Sequence, residues 1–230
     1  MSQRAPIRAV VFDAYGTLFD VHSVGLLAEQ LFPERGAALS QLWRTKQLEY
    51  SWQRSLAGRY KPFWELTEDA LVFAAEKLGL TLSDAARAQL MQQYACLTPF
   101  PENLGALRAL KRRGIPLAIL SNGTPAMLDI AIKSAGLAGI FDHVLSVDAV
   151  GHYKTAPQAY QMGPHALGLP AGQILFVSAN GWDVAGAAWF GYTTFWINRD
   201  SQPTEVLDVK PHHVGTRLTE VAELLVPVAV

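Results

Sequence analysis

Five short apolar runs punctuate the chain, and each ends on polar residues: RAVVFD at 8–13, PLAILSN at 116–122, DHVLSV at 142–147, QILFVSAN at 173–180 and TTFWIN at 193–198. Runs this short, rich in Val, Ile and Leu, predict strands buried on both faces of a parallel sheet. Around them lie stretches of helical periodicity at 102–113, 124–135, 157–167 and 182–190, closed by Gly114, Gly136, Gly168 and Gly191. A glycine just past a helix supplies the left-handed residue that satisfies its last carbonyls. Strand and helix in alternation predict an α/β fold, a doubly wound parallel sheet in a Rossmann-like three-layer core.

Residues 20–98 break the alternation. Leu39, Leu42, Trp43, Lys46 and Tyr50 fall on one helical stripe, followed by Leu71, Phe73 to Ala75 and Leu78 before Gly79. This predicts a helical cap domain over 20–98 inserted after the first strand, with 1–19 and 99–230 forming the α/β core. Pro99-Phe100-Pro101 reads as the return hinge.

Composition narrows the function. Half of the 230 residues are hydrophobic and 17% are charged, below the usual charged share of about 25%, which permits a large core and excludes disorder for most of the chain. Lys and Arg number 19 against 20 Asp and Glu, and there is no run of five or six like charges. Nucleic acid and membrane are therefore excluded as partners. Arg4 and Arg8 precede an apolar run that Asp13 interrupts before it could form a signal peptide. The single cysteine, Cys96, rules out an internal disulfide and reads as a free buried thiol in a reducing, cytoplasmic setting. The six histidines show no metal-ligand spacing; His212 and His213 read as surface residues.

In open α/β sheets, ligands bind beyond the carboxyl ends of the strands. Asp13, the Ser121-Asn122 pair, Lys154, and the cluster Ser178, Asn180 and Asp183 all follow strand ends. A carboxylate there is ionised at neutral pH and can attack an electrophilic carbon or phosphorus without a base; it can equally cap the turn at Gly16-Thr17. Ser-Asn-Gly is also ordinary turn chemistry. Arg44 alone can be a solvated helix arginine, and Leu48 and Phe63 can be simple core.

Taken together, FDAYGTLFDVHS, LWRTKQLEYSW, LAILSNG, HYKTAPQAY and FVSANGWD resemble, in this order, the haloacid dehalogenase superfamily and within it the L-2-haloacid dehalogenases. The resemblance implies that Asp13 is the nucleophile, braced by Thr17. It makes Lys154 the cation that holds Asp13 and offsets a substrate anion. Ser178, Asn180 and Asp183 would position Lys154 and the hydrolytic water. Arg44 would face the site from the cap, and Ser121 and Asn122 would bind the substrate carboxylate and the halide. Tyr15, Leu48, Phe63 and Trp182 would form the apolar pocket, with Tyr160, at the family spacing, in the substrate-binding set. One departure is Lys154-Thr155, where relatives often read Lys-Pro.

Two substitutions separate branches of the superfamily. Phosphatases carry a second aspartate two residues after the nucleophile, where this chain has Tyr15, and a metal-binding acid where it has Ala179. Removing two carboxylates removes the need for a divalent cation. A departing halide, a weak base, needs no proton. The reading is thus a metal-independent, cofactor-free hydrolase of short L-2-haloalkanoates, and the resemblance suggests a homodimer. A phosphotransfer enzyme, a non-catalytic carboxylate-binding relative and a ring-opening hydrolase of a strained cyclic amino acid stay open.

Overall fold

The computed structural model describes residues 6–225. Arg4 and the outer ends of the expected core, 1–5 and 226–230, lie outside the described residues. The five expected strands form as β1 (Ala9–Phe12), β2 (Leu117–Ser121), β3 (His143–Ser146), β4 (Ile174–Ser178) and β5 (Thr193–Ile197). A sixth, β6 (His213–Gly215), completes a parallel sheet of order β3-β2-β1-β4-β5-β6. With three residues, β6 carries too little pattern to be legible. His212 and His213 are accordingly not plain surface residues: the Thr194 N–H donates to His212 Nδ1 at 3.0 Å, and the His213 ring stacks on Phe195.

Four helices fill the segment between β1 and the return to the sheet: α1 (Gly25–Leu31), α2 (Gly36–Leu56), α3 (Phe63–Lys77) and α4 (Asp84–Ala95). Then follow α5 (Asn103–Arg112), α6 (Pro125–Ser134), α7 (Pro157–Leu167), α8 (Gly181–Phe190) and α9 (Thr219–Leu224). Gly168 and Gly191 end α7 and α8 at φ of 63° and 109°, the left-handed geometry expected of them. Among the described residues, no helix is long and apolar enough to cross a membrane.

The sheet buries both faces. Val10, Phe12, Leu117, Ile119, Leu175 and Val177 pack in one core with α5, α6 and α9. Val11, Ala118, Leu120 and Phe176, one residue out of phase, pack with α7 and α8. Each fully buried Val, Leu, Ile or Phe contributes about 1.5–3 kcal/mol, so the sheet centre anchors whatever its ends carry. Phe12 pairs with Ile119 and Val177, which brings Asp13 level with Leu120 and Ser178 at one edge.

The stripe on α2 differs from the expected one. Leu39 and Trp43 are buried, but the face continues through Gln47 and Ser51, while Lys46 and Tyr50 are only half-buried. Polar side chains can hold an interior position when bonded, and Gln47 Nε2 donates to Thr67 Oγ1 at 2.6 Å. Lys46 sits over the Phe73 ring on the outer side, so Phe73 leaves the buried face as well. Cys96 is half-buried rather than buried.

The helical segment leaves and rejoins the core at one place. The Asp20 N–H donates to Thr98 O at 2.8 Å, Phe19 bridges Pro99, and Asn103 Nδ2 donates to Leu18 O at 2.8 Å. From there the segment covers the carboxyl edge of the sheet. Its residues meet the loops after β1 (Phe63 with Tyr15) and β3 (Tyr60 with Asp148) and the start of α8 after β4 (Trp52 with Trp182).

Close approach of α1 and α2 depends on Gly36, where a Cβ would run into the backbone of Glu29. Gly36→Ala is expected to cost about 1–3 kcal/mol through overpacking. Gly105→Ala on α5, where a Cβ would meet nothing, should be neutral or stabilising by about 0.5–1 kcal/mol. Urea denaturation of the two variants checks this; equal midpoints would refute it.

Candidate functional site

Asp13 directly follows β1, and the chain then turns at once. Gly16 adopts a φ of 89°, a conformation L-residues avoid, and its N–H donates to Phe19 O at 2.7 Å. This tight turn points Thr17 back at the carboxylate. Thr17 Oγ1 donates to Asp13 Oδ2 at 3.0 Å, joined by Ser178 Oγ at 3.3 Å and Asn180 Nδ2 at 2.8 Å. Asp13 Oδ1 accepts from Lys154 Nζ at 3.0 Å. One oxygen is saturated by three donors and the other is shared with a single cation, so the carboxylate cannot rotate freely.

Lys154 is 1% exposed and stands between two acids, since its ammonium also donates to Asp183 Oδ2 at 2.9 Å. Burial disfavours the charged lysine, but the two carboxylates outweigh it and its pKa is raised. Asp183, fully buried, is pushed up to about 6: burial and the charge of Asp13 raise it, against the pull of Lys154 and of Tyr160. Tyr160 Oη donates to Asp183 Oδ1 at 2.7 Å. A Cβ at Gly186 would occupy the place of that hydroxyl, so the glycine on α8 makes the contact possible.

Of the expected catalytic set, Asp13, Thr17, Lys154, Ser178, Asn180 and Asp183 form one connected hydrogen-bond network. Asn122 joins through its Oδ1, which accepts the Lys154 N–H at 3.0 Å, and Ser121 Oγ accepts the Gly123 N–H beside it. Arg44 and Leu48 line a cavity of about 390 Å³ whose walls also include Gly16 and Asn180, the neighbours of Asp13. Tyr15 is buried, stacked on Tyr94 at 5.7 Å with Phe63 on another side at 6.0 Å. The Tyr15 hydroxyl has no hydrogen-bond partner among the described residues, and its burial raises its pKa well above the usual value.

Three expected placements change. Tyr160 does not face the substrate side: it is completely buried between the sheet and α8 and its hydroxyl is spent on Asp183. Trp182 lies at the start of α8 but turns toward a second cavity, lined by Trp52, Trp189, Leu56 and Leu207. Phe63 is 1% exposed and packs between Tyr15 and Tyr153, so it shapes the site through Tyr15 rather than lining the cavity.

Sequence reasoning missed Gln47 and Arg199. Gln47 Oε1 accepts from Arg44 Nη1 at 2.7 Å and from Tyr94 Oη at 3.1 Å, fixing the arginine that lines the cavity. Its polarity kept it off the apolar stripe, although it lies one turn after Arg44. Arg199 follows TTFWIN directly and lines the same cavity; the strand-end rule applied to β5 finds it.

A family model described as haloacid dehalogenase-like hydrolase matches residues 7–191. The (S)-2-haloacid dehalogenase of Pseudomonas sp. (strain YL) is 50% identical over 218 residues, covering 95% of this chain and 94% of that protein. Among solved structures, the L-2-haloacid dehalogenase RSc1362 superposes with a TM-score of 0.95 at 59% identity, covering 96% of this chain and 99% of that one. The L-2-haloacid dehalogenase from Xanthobacter autotrophicus with chloropropionic acid covalently bound gives 0.91 at 39% identity, covering 97% and 100%.

The Tyr160–Asp183 bond yields a test that needs no substrate. Tyr160→Phe leaves a buried carboxylate oxygen without its donor, at an expected cost of about 1–3 kcal/mol. Denaturant titration at pH 7.5 measures it, and a midpoint equal to that of the unmodified protein would contradict the assigned contact.

Proposed function

The chain belongs to the haloacid dehalogenase-like hydrolase family, and from that premise we propose that it hydrolyses short L-2-haloalkanoates to D-2-hydroxy acids through an ester on Asp13, without a metal or other cofactor. The observation that carries this reading is the asymmetry of the Asp13 carboxylate: among the described residues Oδ2 accepts three hydrogen bonds, while Oδ1 accepts one, from Lys154. A carboxylate so held presents one oxygen as nucleophile in a fixed direction. The relative with chloropropionic acid covalently bound supports a covalent route.

In the proposed reaction Asp13 Oδ1 attacks C2 from the side opposite the halogen. The new C–O bond forms as the C–halogen bond breaks, the halide leaves with the bonding electrons, and C2 inverts. Arg44, Ser121 and Asn122 hold the substrate carboxylate and the halide, while Tyr15 and Leu48, backed by Phe63, face the alkyl group. Water then adds to the ester carbonyl carbon, and the bond between that carbon and the oxygen attached to C2 breaks. One proton of the water passes to the leaving oxygen to give the D-2-hydroxy acid, the other is released to solvent, and the Asp13 carboxylate is regenerated. The charge that develops on the ester carbonyl oxygen, Oδ2, falls on its three donors Thr17, Ser178 and Asn180, while Lys154 stays beside Oδ1, the oxygen bonded to C2.

The Asp13–Lys154–Asp183 arrangement supports independence from metal, because the two carboxylates already share an ammonium at 3.0 and 2.9 Å. Tyr15 and Ala179 stand where acids would be needed for phosphate chemistry. The same reading treats 20–98 as a cap over a core of 1–19 and 99–230, and the enzyme as a cytoplasmic homodimer.

Oxygen isotopes test the ester. A single turnover of L-2-chloropropionate by excess enzyme in ¹⁸O-water containing a chelator should give unlabelled D-lactate and a labelled Asp13 peptide. Label in the product on the first turnover, or activity only after Mg²⁺ is restored, would overturn the mechanism.

Protonation of Asp183 leaves Lys154 bound to Asp13 alone and weakens the nucleophile. A carboxylate with a raised pKa loses its ionised form as pH falls through that value, so kcat/KM should decline below about pH 6. Tyr160 lowers the Asp183 pKa by its hydrogen bond, and Tyr160→Phe should therefore move the acid limb upward. A pH–rate profile flat from pH 5 to 8 would refute this.

A further inference from the structure

Arg199 has a place in the fold that the reaction scheme above does not use. It follows β5, yet it reaches two separate segments, 16–17 and 100–102. Nη1 donates to Gly16 O at 3.3 Å, and Nη2 donates to Thr17 O at 3.2 Å and to Glu102 Oε1 at 3.3 Å. Its guanidinium carbon lies 3.6 Å from the centroid of the Phe100 ring. A planar cation with donors along its edge can stack and bridge in this way, whereas a lysine ammonium cannot do both.

The two carbonyls it grips belong to the turn that aims Thr17 at Asp13. Thr17 is held from the other side as well, because its Oγ1 accepts the Ala179 N–H at 2.8 Å while donating to Asp13 Oδ2. Phe100 and Glu102 belong to the return crossing from the helical segment, which pairs with 18–20. Arg199 thus ties the chain on its way out of the core to the chain on its way back.

We infer that Arg199 is a positioning residue for the displacement step: by clamping the Gly16 and Thr17 carbonyls against Phe100 and Glu102, it fixes the rotation of the Asp13 carboxylate. The inference rests on the proposed attack by Asp13. Arg199 also lines the cavity, and direct binding of the substrate carboxylate is the competing role. The two roles differ in the kinetic constant they move. A clamp acts on the orientation of the nucleophile and lowers kcat, whereas a substrate-binding arginine raises KM.

For Arg199→Ala, kcat on L-2-chloropropionate should fall about 10- to 100-fold with KM within about threefold of the unmodified enzyme. Millimolar guanidinium, which refills the space on Phe100, should restore part of kcat; ammonium should not, and Arg199→Lys should remain impaired. Hydrogen exchange of the backbone amides in 14–19 should speed up in Arg199→Ala. If Arg199→Ala does not fold, Arg199→Lys and Glu102→Gln are measured in the same way, with a smaller loss expected for Glu102→Gln.

A kcat within about twofold of the unmodified enzyme, a change confined to KM, or no recovery with guanidinium would each overturn the clamp. Unchanged exchange in 14–19 would do so whatever the turnover. Failure of the unmodified enzyme to release halide would instead remove the proposed reaction, and the exchange measurement would still report on the grip of Arg199 on the turn.

Discussion

One buried cation shared by two carboxylates organises this protein. Lys154 at 1% exposure would be untenable alone, since taking an ammonium out of water costs several kcal/mol even after relaxation. Asp13 and Asp183 make it tenable, and each in turn needs the lysine. The remaining contacts serve this trio: Tyr160 and Gly186 hold Asp183, Asn122 holds the Lys154 backbone, and Thr17, Ser178 and Asn180 hold Asp13. In the proposed cycle the second acid has a further use. Esterification neutralises Asp13, and Asp183 then keeps the ammonium in place for the attack of water.

The site draws on two kinds of support. The parallel strands set Asp13 and Ser178 side by side through register, a rigid relation fixed by backbone pairing. Arg44 reaches the cavity from α2, and its orientation depends on Gln47, which is itself bonded to Thr67 and Tyr94. Tyr15 joins the two, since it follows β1 directly and stacks on Tyr94 of α4. A change in how the helices sit would therefore be felt at Arg44 and Tyr15 before it reached Asp13.

The sheet was legible because its strands are continuous apolar runs ended by polar residues and punctuated by glycines, and burial on both faces demands that pattern. The acids, amides and lysine at the strand ends were legible for the same reason, because polar groups there have no packing role. What stayed hidden involves partners far apart in sequence. Tyr160 was read toward substrate because spacing says nothing about which side of Lys154 a ring will take. Trp182 was misplaced because a residue at a helix start can turn to either cavity. Gln47 and Ser51 were missed because burial of a polar side chain depends on a partner, here Thr67 for Gln47, and a hydrophobic stripe cannot show it.

The outgoing and returning segments around Asp20 and Thr98 touch through a backbone hydrogen bond. Seen from the sheet, everything between them is one long loop whose ends are already closed. The entropy of closing a loop rises only by about 0.6 kcal/mol for each doubling of its length, so the core is nearly indifferent to how much chain is threaded through that gap. Length added within the helices between Asp20 and Thr98 therefore costs the sheet, and the buried charges at its edge, little in closure entropy.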